Sequence, residues 1–336
     1  GTSHLPAQCK HPSFILGRKG AYRGVHYSDC PFSVIDTAFY AEPLTDRIDL
    51  KWAYYKFLTY DINGMDSGSA IPSTDRYQIY SIEVEVPPLE KQRKIVAVLD
   101  CIDRKININQ KVNDNLEQQA VALFKSWFVD FSLFGGTVPE NWEDTTLENI
   151  TTLITRGIAP KYSDNSDQTV VNQKCIRNHT IDLSLARTHT PKAINEKWLK
   201  FGDLLINSTG DGTLGRVAQV WFAPKALTVD SHVTIVRPAR EELIFYIGLW
   251  GILHEKEIES LHTGSTGQTE LPRDRVKMLK LLLPDNISLS RFNSIITPMA
   301  STIISNQEEN QKLASLRDTL LPKLMSGEID VSNIQF

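Results

Sequence analysis

The hexapeptide GDGTLG, Gly210 to Gly215, satisfies the G-x-G-x-x-G spacing that lets backbone amides cradle a pyrophosphate, and it follows the strand-like DLLINS. That chemistry requires a helix after the glycines. RVAQVWFA follows instead, with Val217, Gln219 and Val220 suited to a strand, so a tight β-hairpin is expected. Asp230, Ser231 and His232 supply the residue types of a nucleophilic triad, but neighbours on a strand face opposite ways and do not assemble one. Asp36 and Asp230 are expected to bond locally rather than act as acids. The eight histidines show no H-E-x-x-H or other ligand spacing. Cys9, Cys30, Cys101 and Cys175 are scattered without a C-x-x-C pair, so neither a metal site nor a disulfide framework is expected. A Walker-type loop, a nuclease-like carboxylate cluster and the Asx-Pro-Pro-aromatic signature of amino-methyltransferases are all missing. These residues describe a chain that binds and does not catalyse.

What it could bind is suggested by its basic and amide side chains. From Cys9 to Tyr27 the sequence holds Lys10, Arg18, Lys19 and Arg23, with Tyr22 and Tyr27 interleaved and no acid. Such a segment either holds phosphates and reaches base edges or is a solvated basic face. The corresponding later loop offers Thr209, Thr213 and Arg216, and a further cluster contains Arg156, Lys161, Lys174, Arg177, Asn178 and His179. Ser69 and Gln268 lie in equivalent Gly/Ser loops, and Arg76 and Arg273 follow them at equal offset. All of these are candidate DNA contacts.

The elements that must position them come in two copies. NQKVNDNLEQQAVALFKSW, from Asn109, returns 197 residues later as NQEENQKLASLRDTLLPKL, from Asn306. Ile95, Leu99, Ile102, Ile106, Asn109, Asn113 and Leu116 fall on Phe292, Ile296, Met299, Ile303, Asn306, Asn310 and Leu313 in alternating steps of four and three, a heptad seam that Leu123 and Leu320 continue seven residues on. Each helix is expected to run about 33 residues, ~50 Å. The simplest burial of two such seams is against each other, antiparallel, with globular parts at opposite ends. Asn109, Asn113, Asn306 and Asn310 interrupt the seam at matching places, either as register devices or as residues tolerated near solvent. Upstream, Ile82, Val84 and Val86 alternate like a strand and match Leu279, Leu281 and Leu283. Ser288 is the expected cap of the second helix, and Pro322 is expected to kink or end it near Leu321.

The copies are unequal. The second starts near Val138, so about 50 residues of the second globular part have no counterpart in the first, and the chain begins at Gly1 rather than a methionine. The expected class is therefore α+β: residues 1–86 an incomplete first β-rich domain, 87–134 a helix and linker, 135–285 a second β-rich domain, and 286–336 a second helix and tail. A net charge of −4 argues against a general nucleic-acid coat, and no run approaches the ~18 apolar residues of a membrane span. Scattered cysteines fit a reducing cytoplasm.

ILGRKGAYRGVHYSDCPFSVIDTAFY, VPPLEKQRKIVAVLDCIDRKI, the stretch from Asp203 to Val233, STGQTELPRDRV and LASLRDTLLPKLMSGEIDV resemble the specificity (S) subunit of type I restriction–modification systems, over essentially the whole chain. The resemblance implies two target-recognition domains, each reading half of a split double-stranded DNA site, and antiparallel helices that set the gap and dock methyltransferase subunits. It also implies restriction subunits driven by ATP. S-adenosylmethionine, ATP and Mg are then expected on the partners, with no cofactor and no catalytic residue on this chain. The alternative is a non-catalytic coiled-coil scaffold for protein interactions; a fused methyltransferase is a third reading.

Overall fold

A computed structural model describes residues 7–20, 23–65, 72–210, 212–264 and 269–334. The protein mixes helix and sheet and divides into two compact units: Gly1–Gln110 with Gln307–Phe336, and Lys111–Asn306. In chain order the elements are β1 (Ser13–Gly17), β2 (Val25–Ser28), β3 (Ala38–Tyr40), α1 (Leu50–Phe57), α2 (Arg76–Tyr80) and α3 (Leu89–Phe128). Then come β4 (Glu143–Thr146), β5 (Thr151–Arg156), β6 (Thr169–Val171), β7 (Ile176–Arg177), β8 (Thr180–Ile181), β9 (Arg187–Thr188), β10 (Leu204–Asn207), β11 (Val217–Gln219), β12 (Leu227–Val229) and β13 (Val233–Pro238). The chain continues through α4 (Ile244–Leu253), α5 (Glu255–Ser260), α6 (Arg273–Lys277), β14 (Lys280–Leu283) and α7 (Asn286–Ser326).

In the first unit, β1 is the centre of an antiparallel sheet ordered β2-β1-β3. Asp49 caps α1 by accepting from the Lys51 and Trp52 amides, and α1 then lays Trp52 and Tyr55 onto Phe14 and Leu16. Gln92, fully buried, ties the start of α3 to the α1 cap: its amide donates to Arg47 O and Pro87 O, and its carbonyl accepts from Asp49 N. Leu99, Leu321 and Leu324 close this core. Asp103 joins the helices at its rim, accepting from the Tyr55 hydroxyl at 2.7 Å and from Arg317 at 3.0 Å.

The second unit is built on an antiparallel sheet, β11-β10-β13-β5, with β12-β6-β9, β7-β8 and β14-β4 around it. Helix α4 is apolar on nearly every face because it is buried on nearly every face, and it joins Phe124, Trp127, Phe128 and Phe292 in the main core. The Tyr246 hydroxyl donates to Leu282 O there.

Helices α3 and α7 have 40 and 41 residues, about 60 Å each, longer than the expected 33. The extra residues of α3 lie mainly ahead of Ile95, where buried Gln92 bonds Arg47 O and Pro87 O, while Phe124 to Phe128 anchor its other end in the core. Within each unit the two helices run antiparallel: Asp103 meets Arg317 and Asn109 meets Asn310 in the first, and Asn113 meets Asn306 in the second. Asn109 Nδ2 donates to Asn310 Oδ1 at 2.9 Å, and the equivalent Asn306 Nδ2 donates to Asn113 Oδ1 at 2.8 Å. The four amides are therefore partnered, not left to solvent.

Three expectations are corrected. Residues 82–86 form no strand. In the second unit the equivalent β14 pairs with β4, but among the described residues nothing occupies that place beside 82–86. Pro322 does not end α7, which continues to Ser326. A proline removes one N–H bond, and burial of Leu321 and Leu324 on either side of it outweighs that cost. Asp285, not Ser288, caps α7: its carboxylate accepts from the Ile287 and Ser288 amides, the Ser288 hydroxyl and Trp142 Nε1. Desolvation opposes these bonds, yet they hold the Asp285 carboxyl down to about 2. Its folded pKa thus lies below its unfolded value of about 4, so its contribution is present above pH 4 and is lost as pH falls toward 2. Asp285→Ala is expected to cost about 1 kcal/mol in urea unfolding at pH 7, a difference that shrinks by pH 3. A cost independent of pH would show that the carboxylate is not the cap.

Candidate nucleic-acid interface

The strand registers of the second unit fix which side chains share an edge. Arg156 pairs with Thr234, Asn207 with Val233, and Ile206 with Val217. The end of β5, the end of β10 and the starts of β13 and β11 therefore lie together, with Arg156, Thr209, His232 and Arg216 along that rim. β10 and β11 are antiparallel neighbours, so the expected hairpin is present, but residues 208–216 make its connection longer than the tight turn expected, and Asp211 of GDGTLG lies outside the described residues. Gly215 has φ 84°, and a Cβ there would lie 2.7 Å from Glu259 Cα, so only glycine lets the turn press on α5. Gly157, just past Arg156, approaches so closely that a Cβ would run into Val229 O.

Thr209 organises the rim. Its hydroxyl lies 2.7 Å from His232 Nδ1 and 3.3 Å from Gln173 Oε1, while Asn207 Nδ2 donates to Gln173 O at 3.1 Å. Asp230, Ser231 and His232 sit in the turn before β13: Asp230 accepts the His232 N–H, and the imidazole bonds Thr209, not Ser231. Burial raises the Asp230 pKa, against the lowering effect of that N–H and of the His232 ring.

Beside the rim stands the short hairpin β7-β8. Its two turn residues, Asn178 (φ 48°) and His179 (φ 59°), are both left-handed, the conformation a two-residue type I′ turn needs. His179 bridges Ala218 of β11, and its Nε2 lies 3.6 Å from Glu255, which also accepts the Val217 N–H. Arg177 and Asn178 are thereby held out at the tip, exposed, and Lys174 is exposed on the turn before it. The Arg177 and Lys174 side chains have no partner among the described residues.

Other candidates are placed differently. Arg156 is ion-paired with Glu270 at 2.6 Å and donates to Leu271 O, and Arg216 donates to Gly212 O. Lys161 lies beside the β12-β6-β9 sheet, its carbonyl accepting from Thr190 N. Arg273 opens α6 and Arg76 opens α2, both exposed. In the first unit Arg18 stacks over Phe39 at 5.4 Å and Lys19 pairs with Asp36 at 2.7 Å. The hydrogen bond from Lys19 lowers the Asp36 pKa. Arg23 is a correction: it is 2% exposed, and its guanidinium donates to Gly20 O and Asn63 O, so it pins a turn instead of meeting a phosphate. Tyr22, Ser69 and Gln268 lie outside the described residues. Spacing singles out neither Gln173 nor Glu255, and His232 only as an apparent triad member; all three meet the rim through strand register and a loop contact, which no local pattern encodes.

Residues 12–118 match the family model of the type I restriction modification DNA specificity domain. The chain is 26% identical over 319 residues to the type I restriction enzyme MjaIX specificity subunit of Methanocaldococcus jannaschii, covering 86% of this chain and 71% of that protein. It is 21% identical over 353 residues to the HindI specificity subunit of Haemophilus influenzae, covering 82% and 74%. The crystal structure of the type I restriction-modification S subunit from M. genitalium has the same fold, with a TM-score of 0.55 at 18% identity, covering 96% of this chain and 85% of that one. The chain is thus similar over most of its length to specificity subunits of type I restriction–modification systems, and residues 12–118 carry that family's DNA specificity domain.

Proposed function

We propose that this protein is the sequence-specific DNA-binding subunit of a type I restriction–modification complex and has no reaction of its own. In this reading residues 1–86 and 135–285 are recognition domains, each for one half of a bipartite site. Helices α3 and α7 set the gap and dock methyltransferase subunits, and the asparagine pairs fix their register. S-adenosylmethionine, ATP and Mg act on methyltransferase and restriction subunits, in the cytoplasm. Among the described residues no helix is long and apolar enough to cross a membrane.

The observation that carries the reading is the hairpin tip: a free guanidinium and an amide held out by a rigid two-residue turn, next to a rim of hydroxyl, imidazole and amide groups. Arg and Asn are side chains that bond two base-edge atoms at once in the major groove. The alternative, a protein-interaction scaffold, draws on the net charge of −4 and on the acidic partners of Arg156 and Lys19.

Fluorescence titration of the chain with its methyltransferase subunits, against split sites of varied spacing, separates the two. Affinity is expected to peak at one spacing and to fall as salt rises. Arg177→Ala is expected to lose about 1–3 kcal/mol, roughly 5- to 150-fold, on the preferred site alone. An equal loss on every sequence would make Arg177 a phosphate contact. Absence of any DNA-dependent signal with the partners present would return the protein to the scaffold reading.

A further inference from the structure

Cys9, His11 and Glu42 come from separate segments, yet their donor atoms all lie within 4.8 Å of one another. Backbone bonds hold them there. Cys9 N donates to Phe32 O at 2.9 Å and Phe32 N returns to Cys9 O at 3.0 Å. One residue before Glu42, Ala41 N donates to Phe14 O and Ala41 O accepts from the Ser13 hydroxyl at 2.7 Å. The thiol is the floor of the cluster, since Cys9 is 1% exposed, while the His11 and Glu42 side chains are 37% and 54% exposed and open to solvent.

The imidazole shows what the cluster is suited to. His11 Nδ1 lies 3.1 Å from Pro12 O, which carries no proton, so Nδ1–H is the donor. A backbone carbonyl on one ring nitrogen is a usual partner of a histidine that ligates a metal through the other. That other nitrogen, Nε2, faces Glu42 Oε2 at 2.9 Å and lies 3.8 Å from Cys9 Sγ. Two lone pairs 2.9 Å apart repel unless a cation lies between them, and that cation is either a proton on Nε2 or a metal ion.

We propose that Cys9, His11 and Glu42 form a three-ligand site for a borderline-soft divalent ion, with zinc as its natural occupant and water as the fourth ligand. A sulfur, an imidazole and a carboxylate form a donor set for zinc, whereas magnesium and calcium take oxygen ligands. Zinc bonds of about 2.0–2.3 Å require the sulfur, now also 3.9 Å from Nδ1, to turn toward Nε2. On binding, Cys9 releases its thiol proton to solvent, and any proton on Nε2 leaves as well.

Cobalt(II) titration of the full chain tests this. A thiolate-to-cobalt charge-transfer band should saturate at one equivalent and disappear when Zn2+ is added. Cys9→Ser should abolish the band, while Cys30→Ser and Cys101→Ser, at the exposed cysteines, should keep it. Glu42 is exposed, so Glu42→Gln leaves the core untouched and should weaken Zn2+ binding by calorimetry at least about 10-fold. If Cys9→Ser perturbs folding by circular dichroism, Glu42→Gln decides. The proposal is overturned by the absence of a one-equivalent band, by a band that survives Cys9→Ser, or by Zn2+ affinity unmoved in Glu42→Gln. Any of these leaves an ordinary His–Glu ion pair above a packed thiol.

Discussion

Phe292→Ala is expected to destabilise the Lys111–Asn306 unit by about 3–5 kcal/mol, the range for deleting a fully buried aromatic ring. Phe292 is 0% exposed, and three rings surround it: Phe128 at 4.8 Å, Trp127 at 5.7 Å and Phe124 at 6.0 Å, each close to edge-on. Those three come from α3 and Phe292 from α7, so one truncation loosens the pairing of the two helices in this unit. Tryptophan-monitored denaturant unfolding would measure it. A cost below about 1.5 kcal/mol would mean that the site collapses around the loss, and that the aromatic cluster does not anchor α7 as described.

Arg237→Met is expected to cost a similar 3–5 kcal/mol, for an electrostatic reason. Arg237 forms two parallel bonds to Asp203, Nε to Oδ1 at 2.8 Å and Nη2 to Oδ2 at 2.7 Å, and it also donates to Glu196 O and Trp198 O. The Asp203 side chain is 1% exposed, so removing the arginine strands a buried charge. Adding Asp203→Leu should recover part of the loss, because no bare carboxylate then remains. The double variant stays short of wild type, since the Glu196 and Trp198 carbonyls and the Lys200 N–H keep no side-chain partner. Equal stability of the single and double variants would remove the stranded-charge explanation. Because β13 carries Arg237 at one end and begins beside His232 at the other, the Thr209–His232 rim rests on this pair indirectly.

Where the sequence could be read, a physical period made it legible. The heptad seam fixed both long helices, since burying a stripe at steps of four and three leaves a helix few alternatives. The glycine-rich turn before Val217 was recognisable as a hairpin because β-branched residues followed where a phosphate loop needs a helix. What stayed hidden depends on partners distant in sequence. Residues 82–86 carry the right alternation for a strand but have no described neighbour to bond. Pro322 is a local breaker overruled by Leu321 and Leu324 in a distant core. Arg23 looks like its basic neighbours in sequence, and only the fold shows it turned inward to Asn63. Cys9, His11 and Glu42 show no ligand spacing because the Cys9–Phe32 bridge and the bond from Ala41 to Phe14, rather than a helical repeat, bring them together.

The Gly1–Gln110 unit is discontinuous: Phe14, Trp52 and Leu99 share a core with Leu321, Leu324 and Val331, and the whole of Lys111–Asn306 is threaded between them. A ribosome adds about 5–20 residues each second, so some 10–40 s separate the emergence of the two sides of that core. The contiguous inserted unit can complete itself during this wait. The segment ahead of the insertion is therefore the last to mature, with its apolar face uncovered until Leu321 and Leu324 arrive.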